Sequence, residues 1–591
     1  MNLFSPGSLT WRMSLVGFCA FVLPEPEELR AQGAPVFGQR GILRGAAVDP
    51  NDFAGWSVAM DGNTAAVGVV GEDGAANQVS TSGAVYVFSR SGDKWTLQTT
   101  LRAAQPDEED HFGYSLALHG NTLVVGAPYE DSAARAIDGD ETDDTAADAG
   151  AVYVFVRNGS QWTRQAYLKA ANADAGDQFG KSVAIYGDRL LVGAWLEDGN
   201  GPASNDDPEN NDASDAGAVY SFVRSGSTWT QTDYLKAGNA GAGDGFGGSL
   251  AFGQEGERFV VGAPFEDSNA DGIDGNGNDN SAIESGAAYV FGSLSLPVVE
   301  WVQQYYLKAA NSDSGDLFGA SVAMGFSTIV VGAPWEASVS AANPLDNSWT
   351  DSGAVYVFES QTVSPFLAQQ AYLKSSHPDP YDNFGTSVAV QGNLIAVGAH
   401  GEDGGGRGVN PPHDDANENS GAVYRFQKSA GTWSQISYLK ASNAGLNHQF
   451  GISLAMSGSS VITGAWREGN TAAPVAGSAY VFSFDGPAAA VQMRAPGSAA
   501  FPKTPVKKRS QPKTFVIANT GAEPVEINGV RAGGKDARSF QVTSPFATLE
   551  PGQSVAFTAT FKPKKKGNRT ATFTATTSAG TISLNVSGKA K

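Results

Sequence analysis

Carboxylates are the side chains whose number and spacing give this chain its clearest capacity for chemistry. The 591 residues include 61 Asp and Glu against 39 Lys and Arg, for a formal net charge of −22. Clustered carboxylates can bind hard cations, accept hydrogen bonds from loop amides or, as spaced pairs, perform acid–base catalysis. An acidic chain of this kind argues against nucleic acid and anionic membranes as partners of its main body.

Two acidic loops place oxygen ligands at close spacing. The first, residues 138–144 (DGDETDD), offers Asp138, Asp140 and Asp143; the second, residues 271–280 (DGIDGNGNDN), offers Asp271, Asp274, Asn276 and Asn278. These seven residues are the candidate metal ligands, and calcium is the one cofactor that such oxygen sets would hold. Neither loop completes an EF-hand pattern, so a solvated acidic loop is the alternative for each.

Catalytic motifs are sparse by comparison. The six His do not recur at metal-ligand spacing, and the sequence contains no HExxH, GxSxG, phosphate-binding loop or dinucleotide fingerprint. The single cysteine, Cys19, lies in an apolar run from Met13 to Leu23 that has the length of a signal-peptide core. We therefore expect a non-enzymatic protein with a leader at residues 1–34, secreted or held at the cell surface. No other segment is long and apolar enough to cross a membrane.

The elements that must position these carboxylates are repeats. Four blocks recur in order: an FG block (FGYSLA at Phe112), a VGA block (VGAP at Val125), a GAVYVF block (at Gly150) and a block that pairs Trp with a later Leu. The first three occur seven times, beginning at Phe53. Each block is short, rich in Val, Tyr and Phe, and bounded by Gly, Asn or Asp, which is typical of strands.

Four strands in each repeat predict an all-β fold, a seven-bladed β-propeller over residues 35–486. The last repeat lacks its fourth strand, and residues 36–47 carry a copy of that strand's end. We expect this N-terminal strand to close blade seven. In such sheets the connections between strands two and three, and between one blade and the next, lie on one face, and most carboxylates fall in them. We call this the long-loop face.

A basic tail follows. Residues 487–512 are rich in Ala, Pro and Lys and are predicted to be a linker, whereas residues 513–591 alternate as a small Ig-like β-sandwich. The tail FVIANTG…LEPGQSVAFTATFKPKKKG…NVSG resembles the Ig-like domains of hydin-type ciliary proteins and of many bacterial surface proteins.

The repeats resemble the FG-GAP family, known from integrin α subunits, and are closest to its bacterial form. The resemblance implies ligand binding on the long-loop face, here by the recurring pairs Glu130–Asp131, Glu197–Asp198, Glu266–Asp267 and Glu402–Asp403. A structural role is the alternative for the recurring carboxylates, which would accept hydrogen bonds from loop amides and fix the joins between blades. The calcium loops of integrins, between strands one and two, are tight turns here, so that feature does not carry over.

Three functions fit these features. The first is a secreted or cell-surface binding and adhesion protein that contacts an extracellular protein or glycan. The second is a propeller hydrolase or lyase acting on an extracellular polymer, which a polar funnel near the axis with two carboxylates of different pKa would favour. The third is a structural surface or matrix component, which would self-associate. The oligomeric state and the ligand stay open.

Overall fold

The structure is a computed structural model that describes residues 37–45, 49–74, 77–200, 208–293, 301–361, 364–469, 475–484, 491–495, 499–519, 525–549, 554–578 and 580–591. Seven antiparallel blade sheets and a two-sheet sandwich confirm the predicted all-β fold. Within the described ranges the only helical segment is the 3-10 turn Ala537–Ser539. The leader predicted at residues 1–34 lies outside the described residues.

The propeller begins with β1 (Phe37–Leu43), and each later sheet runs in chain order as one blade. Blade 1 is β2 (Ala54–Asp61), β3 (Thr64–Val69), β4 (Ala84–Ser91) and β5 (Lys94–Leu101). Blade 2 is β6 (Ser115–His119), β7 (Thr122–Ala127), β8 (Ala151–Asn158) and β9 (Gln161–Leu168). Blade 3 is β10 (Phe179–Tyr186), β11 (Arg189–Ala194), β12 (Ala218–Ser225) and β13 (Thr228–Leu235). Blade 4 is β14 (Ser249–Phe252), β15 (Arg258–Ala263), β16 (Ala287–Ser293) and β17 (Trp301–Leu307).

The remaining blades repeat this order. Blade 5 is β18 (Ser321–Met324), β19 (Thr328–Ala333), β20 (Ala354–Ser360) and β21 (Leu367–Leu373). Blade 6 is β22 (Phe384–Gln391), β23 (Leu394–Ala399), β25 (Ala422–Ser429) and β26 (Thr432–Lys440), with a short β24 (Gly408–Val409) added beside β26. Blade 7 contains β27 (Leu454–Ser457), β28 (Ser460–Ala465) and β29 (Ser478–Phe484).

The fourth strand of blade 7 comes from the N-terminal end of the propeller. Strand β1 pairs antiparallel with β29, from Phe37 opposite Phe484 to Leu43 opposite Ala479. Leu43 is 2% exposed in the core, and Arg44 Nη2 lies 2.7 Å from Glu468 Oε1. These contacts make β1 the strand that completes the seventh sheet.

The first strand of each blade faces the axis, where neighbouring first strands contact one another from β2 round to β27 and back to β2. Small residues permit this approach: a Cβ at Gly126 would stand 2.1 Å from the carbonyl oxygen of Gly180 in the next blade. The serine of each FG block also donates a hydrogen bond to the next blade, and Ser453 closes the ring by donating to Gly55 at 2.8 Å. The FG and VGA glycines and the FG serine are therefore explained by blade-to-blade packing.

The C-terminal sandwich packs two sheets around an aromatic core that includes Phe515, Phe557 and Phe573. One sheet is β30 (Val491–Arg494), β32 (Lys513–Asn519), β34 (Phe540–Val542) and β36 (Ser554–Phe561). The other is β31 (Ala500–Thr504), β33 (Val525–Gly533), β35 (Ala547–Leu549), β37 (Gly567–Thr577) and β38 (Gly580–Ala590).

The prediction that residues 487–512 form a linker is wrong for two stretches. Strand β30 pairs antiparallel with β32, and β31 pairs parallel with β38. Phe501 of β31 is 5% exposed and contacts Phe515, Phe540 and Phe561. The sandwich therefore starts earlier than the predicted boundary at residue 513, because these short strands bury apolar side chains amid a Pro- and Lys-rich composition.

Candidate functional site

The recurring glutamates lie inside the blades. Glu130, Glu197, Glu266 and Glu402 are each 1–4% exposed, and each carboxylate is paired with the buried lysine that ends the fourth strand of its own blade. In blade 3 the Lys236 Nζ to Glu197 Oε2 distance is 2.9 Å, and Tyr234 donates its hydroxyl to Oε1 at 2.8 Å. Because these charges are already compensated and desolvated, the predicted role in ligand binding is corrected to a structural one for all four glutamates.

The aspartates that follow them fix the long loops. Each is partly buried and accepts a backbone N–H from the far end of its own loop. The donors to Asp131, Asp198, Asp267 and Asp403 are Asp148, Asp215, Glu284 and Asn419, at 2.8, 2.9, 2.8 and 2.7 Å. All four donor residues have positive φ, so the carboxylate holds a loop turn that is otherwise costly.

Five of the seven predicted calcium ligands accept hydrogen bonds from this chain. Asp138 and Asp274 accept the backbone N–H of Tyr167 and Tyr306, at 2.9 and 3.0 Å, and so tie their loops to the outer strands β9 and β17. Asp140, Asp143 and Asn276 accept from the residue two positions ahead. Asp271 and Asn278 are exposed. Calcium binding by these loops stays a prediction.

One group of potential metal ligands is found in the described part of the chain, and it contains none of the predicted calcium ligands. Asp379, His413 and Asp415 bring their ligand atoms within 4.8 Å of one another. They belong to the connection between blades 5 and 6 and to the long loop of blade 6, and sequence spacing did not bring them together.

A second feature that the sequence analysis missed lies at the inner edge of the long-loop face. The residue between Gly and Ser of the FG block, and the two residues after the VGA block, vary between repeats while their neighbours stay constant. We call one set of these side chains the aromatic rim: Trp466, Trp56, Tyr114, Lys181, Trp195 and Phe265. All six are partly exposed. Variable positions on a constant scaffold were the sequence signal that could have identified them.

The aromatic rim forms a continuous arc over five blades. Trp56 packs against Trp466 and Tyr114 with ring centroids 5.1 and 5.3 Å apart. Lys181 Nζ lies 4.7 Å from the Tyr114 ring centroid and 4.0 Å from that of Trp195, and Trp195 is 5.7 Å from Phe265.

Burial within the rim changes the protonation of its polar groups. Desolvation lowers the pKa of Lys181 to about 8 and raises the pKa of Tyr114 to about 12. Lys181 Nζ also donates to the Tyr114 hydroxyl at 2.8 Å. The rim thus combines flat apolar faces with one cation–π centre.

The opposite, short-turn end of the axis holds a cavity of about 570 Å³. Its lining includes His119, Tyr186, Phe252, Gln254 and Gln391. None of the described residues that line it carries a carboxylate. The funnel with a carboxylate pair that a propeller glycosidase would use is not found in this cavity.

Comparison with known families identifies both parts of the chain. The FG-GAP repeat family matches residues 39–88, 95–155, 162–222, 301–358, 367–426 and 433–482. These stretches cover more than half of the sequence, and the chain belongs to the FG-GAP repeat family. The interval between 222 and 301 is unmatched, yet β14–β17 of blade 4 keep the same sheet order. The HYDIN/CFA65/VesB-like, Ig-like domain matches residues 499–589.

Three solved structures show distant likenesses to the chain. The ASH/PapD-like domain of human CEP192 is 18% identical over 17% of this chain and 84% of its own, with a TM-score of 0.14. The secreted serine protease VesC from Vibrio cholerae is 10% identical over 34% of this chain and 36% of its own, with a TM-score of 0.14. The VesB protease of Vibrio cholerae is 10% identical over 45% of this chain and 88% of its own, with a TM-score of 0.13. These values carry no argument about activity.

No curated protein that was compared with the chain matches it. In the described ranges, no helix has the length and hydropathy needed to cross a membrane. FG-GAP repeats and Ig-like domains of this kind are typical of extracellular and cell-surface proteins.

Proposed function

We propose that this protein is an extracellular or cell-surface binding protein, without enzymatic activity, that holds a protein or glycan ligand on the long-loop face of its propeller. The observation that carries the proposal is the aromatic rim. Partly exposed Trp and Tyr side chains provide large contact areas at low entropic cost, and such residues dominate binding energy at interfaces. Tryptophan faces equally suit the apolar faces of sugar rings.

The negative charge around the aromatic rim limits the chemical class of ligand that it can bind. The chain carries a net charge of −22, and the long loops around the rim are rich in carboxylates. A polyanionic ligand would be repelled, whereas a neutral glycan or a basic protein segment would be accepted. For a basic ligand, the association rate would fall with rising salt.

Substitution in the rim tests the proposal. The full chain is screened against immobilised neutral glycans and extracellular matrix proteins, and hits are measured by surface plasmon resonance. Trp56→Ala and Trp466→Ala should each weaken binding by about 30-fold, the effect of losing about 2 kcal/mol at a hot spot. Phe366→Ala is the matched control, because Phe366 is 62% exposed and lies between β20 and β21, on the opposite face.

Two outcomes would argue against the rim as the binding site. One is binding that both Trp variants retain while they remain folded, and the other is a loss that Phe366→Ala reproduces. Absence of binding across the whole panel would contradict the proposed ligand classes.

A further inference from the structure

The joins between consecutive blades share a hydrogen-bonding pattern at the position three residues after the fourth-strand lysine. At four joins an asparagine three residues after the fourth-strand lysine bridges the next blade: its amide nitrogen donates to the buried glutamate and its amide oxygen accepts from the third-strand tyrosine hydroxyl. Asn172 does so with Glu197 and Tyr220, at 3.4 and 2.9 Å. The other three are Asn239, Asn311 and Asn443.

The join between blades 5 and 6 departs from this pattern. His377 stands at the asparagine position, so the buried hydroxyl of Tyr424 lacks the amide partner that the tyrosines of the four asparagine joins have. The imidazole of His377 instead stacks on that of His413, with ring centroids 4.1 Å apart and planes 10° from parallel. His413 comes from the long loop of blade 6. His377 therefore brings two histidines together at a position that forms a structural bridge at four other joins.

Carboxylates surround this histidine pair. His413 Nε2 lies 3.7 Å from Asp415 Oδ1 and 3.7 Å from Glu402 Oε1. Asp379 is two residues beyond His377, and its carboxylate completes the group with His413 and Asp415. Glu402 is held by Lys440 and Tyr438, so it is not a free ligand.

We propose that Asp379, His413 and Asp415 bind a divalent transition-metal ion of the zinc class. Imidazole nitrogen with carboxylate oxygen is a donor set for zinc and its neighbours, whereas calcium takes oxygen ligands only. Two ligands at about 2.0–2.1 Å from a tetrahedral zinc lie about 3.3 Å apart. His413 Nε2 and Asp415 Oδ1 are 3.7 Å apart, and all three ligand atoms lie within 4.8 Å of one another. Binding the ion therefore requires the side chains to close by at most about 1.5 Å.

The bound ion would connect the segment between blades 5 and 6 to the long loop of blade 6. With three protein ligands it keeps at least one coordination position for water or for a carboxylate of a partner. The stacked ring of His377 would limit rotation of His413 and act as a positioning residue.

Metal titration of the purified full chain tests the site. After removal of metals by EDTA and dialysis, ZnCl2 is added in a calorimeter, and CoCl2 is added while visible absorption reports the ligand environment. The wild type should bind in one saturable step. His413→Ala should weaken binding by at least about 100-fold, since losing even an outer-shell partner costs about 10–100-fold. Asp415→Asn should weaken it by about 10-fold or more.

A matched control variant distinguishes binding at this site from nonspecific zinc binding by the acidic surface. The Asp188 side chain is 65% exposed, as is that of Asp415, so Asp188→Asn should bind zinc as the wild type does. Because Asp415 is exposed, its variant should stay folded, and the melting temperature checks this. The proposal is overturned if the wild type binds no zinc, or if His413→Ala and Asp415→Asn bind as tightly as Asp188→Asn. In either case the approach of His413 to Asp415 and Glu402 would be a packing contact without a metal-binding role.

Discussion

At the residue scale, every blade neutralises one carboxylate in its interior. A lysine at the end of the fourth strand supplies the charge in blades 2 to 6, and Arg102 and Arg44 supply it in blades 1 and 7. The pair in blade 3 is almost fully desolvated, with side-chain exposures of 0% for Lys236 and 2% for Glu197. Breaking such a pair costs far more than the pair contributes, because one buried charge remains uncompensated.

Lys236→Met should therefore destabilise the propeller by about 3–5 kcal/mol, measured by urea unfolding. Adding Glu197→Gln should restore part of that loss, since the remaining buried charge is removed. Arg135→Met breaks an exposed pair with Asp174, 2.6 Å apart, and should cost no more than about 1 kcal/mol. Equal costs for the two single variants would contradict a structural role for the buried pair.

At the element scale, β1 determines whether the ring is closed. Its last two residues point to opposite sides, so that Leu43 is 2% exposed and its neighbour Ile42 is 39% exposed. Leu43 belongs to the core cluster shared by blades 7 and 1. One short strand therefore supports two blades at once.

The two neighbours provide a test of this closure. Leu43→Ala should lower the free energy of unfolding by about 2–5 kcal/mol, the usual cost of truncating a buried leucine. Ile42→Ala, on the exposed side of the same strand, should cost less than about 1 kcal/mol. Guanidinium unfolding monitored by tryptophan fluorescence measures both. A β1 that contributed nothing to the ring would show the same small cost at both positions.

At the scale of the whole molecule, a recurring aspartate makes stability depend on pH. It stands two residues before the FG phenylalanine and accepts the N–H of the residue three before it, as Asp316 does from Asp313. Burial, opposed by that hydrogen bond, raises the pKa of Asp110 and Asp316 to about 8 and that of Asp177 and Asp244 to about 7. In the unfolded chain these carboxyls titrate near their ordinary value of 3.8.

A raised pKa in the folded state means that the proton stabilises the fold. The contribution is fully present below about pH 4 and is lost as the pH rises through about 7 to 8, so these groups make the propeller less stable at pH 8.5 than at pH 5.5. Asp316→Asn should reduce that difference, by up to about 1.4 kcal/mol for each pH unit between 5.5 and the raised pKa. Asp93→Asn, in the exposed turn between β4 and β5, should leave it unchanged. Urea unfolding at both pH values decides, and a wild type that is more stable at pH 8.5 would contradict the assignment.

The repeat made most of the fold predictable. Strand types, blade number and the face that carries the long loops all follow from block spacing, because each repeat must bury its faces against its neighbours. Strands were misassigned where their local composition is atypical, as in the fourth strand of blade 5 and in β31 of the sandwich. Phe366 looks like the aromatic of a fourth strand but is 62% exposed, while Leu367 beside it is 2% exposed and fills that place. Strand β31 is likewise hidden in a Pro- and Lys-rich stretch.

The candidate site was harder to predict. Recurrence of Glu197 and its equivalents reflects architecture, because a residue that every blade needs is one that holds the blade together. The informative positions are those that break the recurrence, such as Trp56 or His377. Their neighbours in space, Trp466 and His413, come from other blades or from distant loops, so contact between them depends on ring geometry that block spacing does not encode.

The pairing of Phe37 with Phe484 has a consequence for the order of folding. The partner of β1 is the last strand of the propeller along the chain, so this contact has the longest loop to close and pays the largest closure entropy. During synthesis, blades 1 to 6 can form in sequence as an open arc, because their sheets are complete without β1 and β29. The arc becomes a ring only after Phe484 has emerged, and until then the terminal blades each leave one apolar face uncovered and open to contact with other chains.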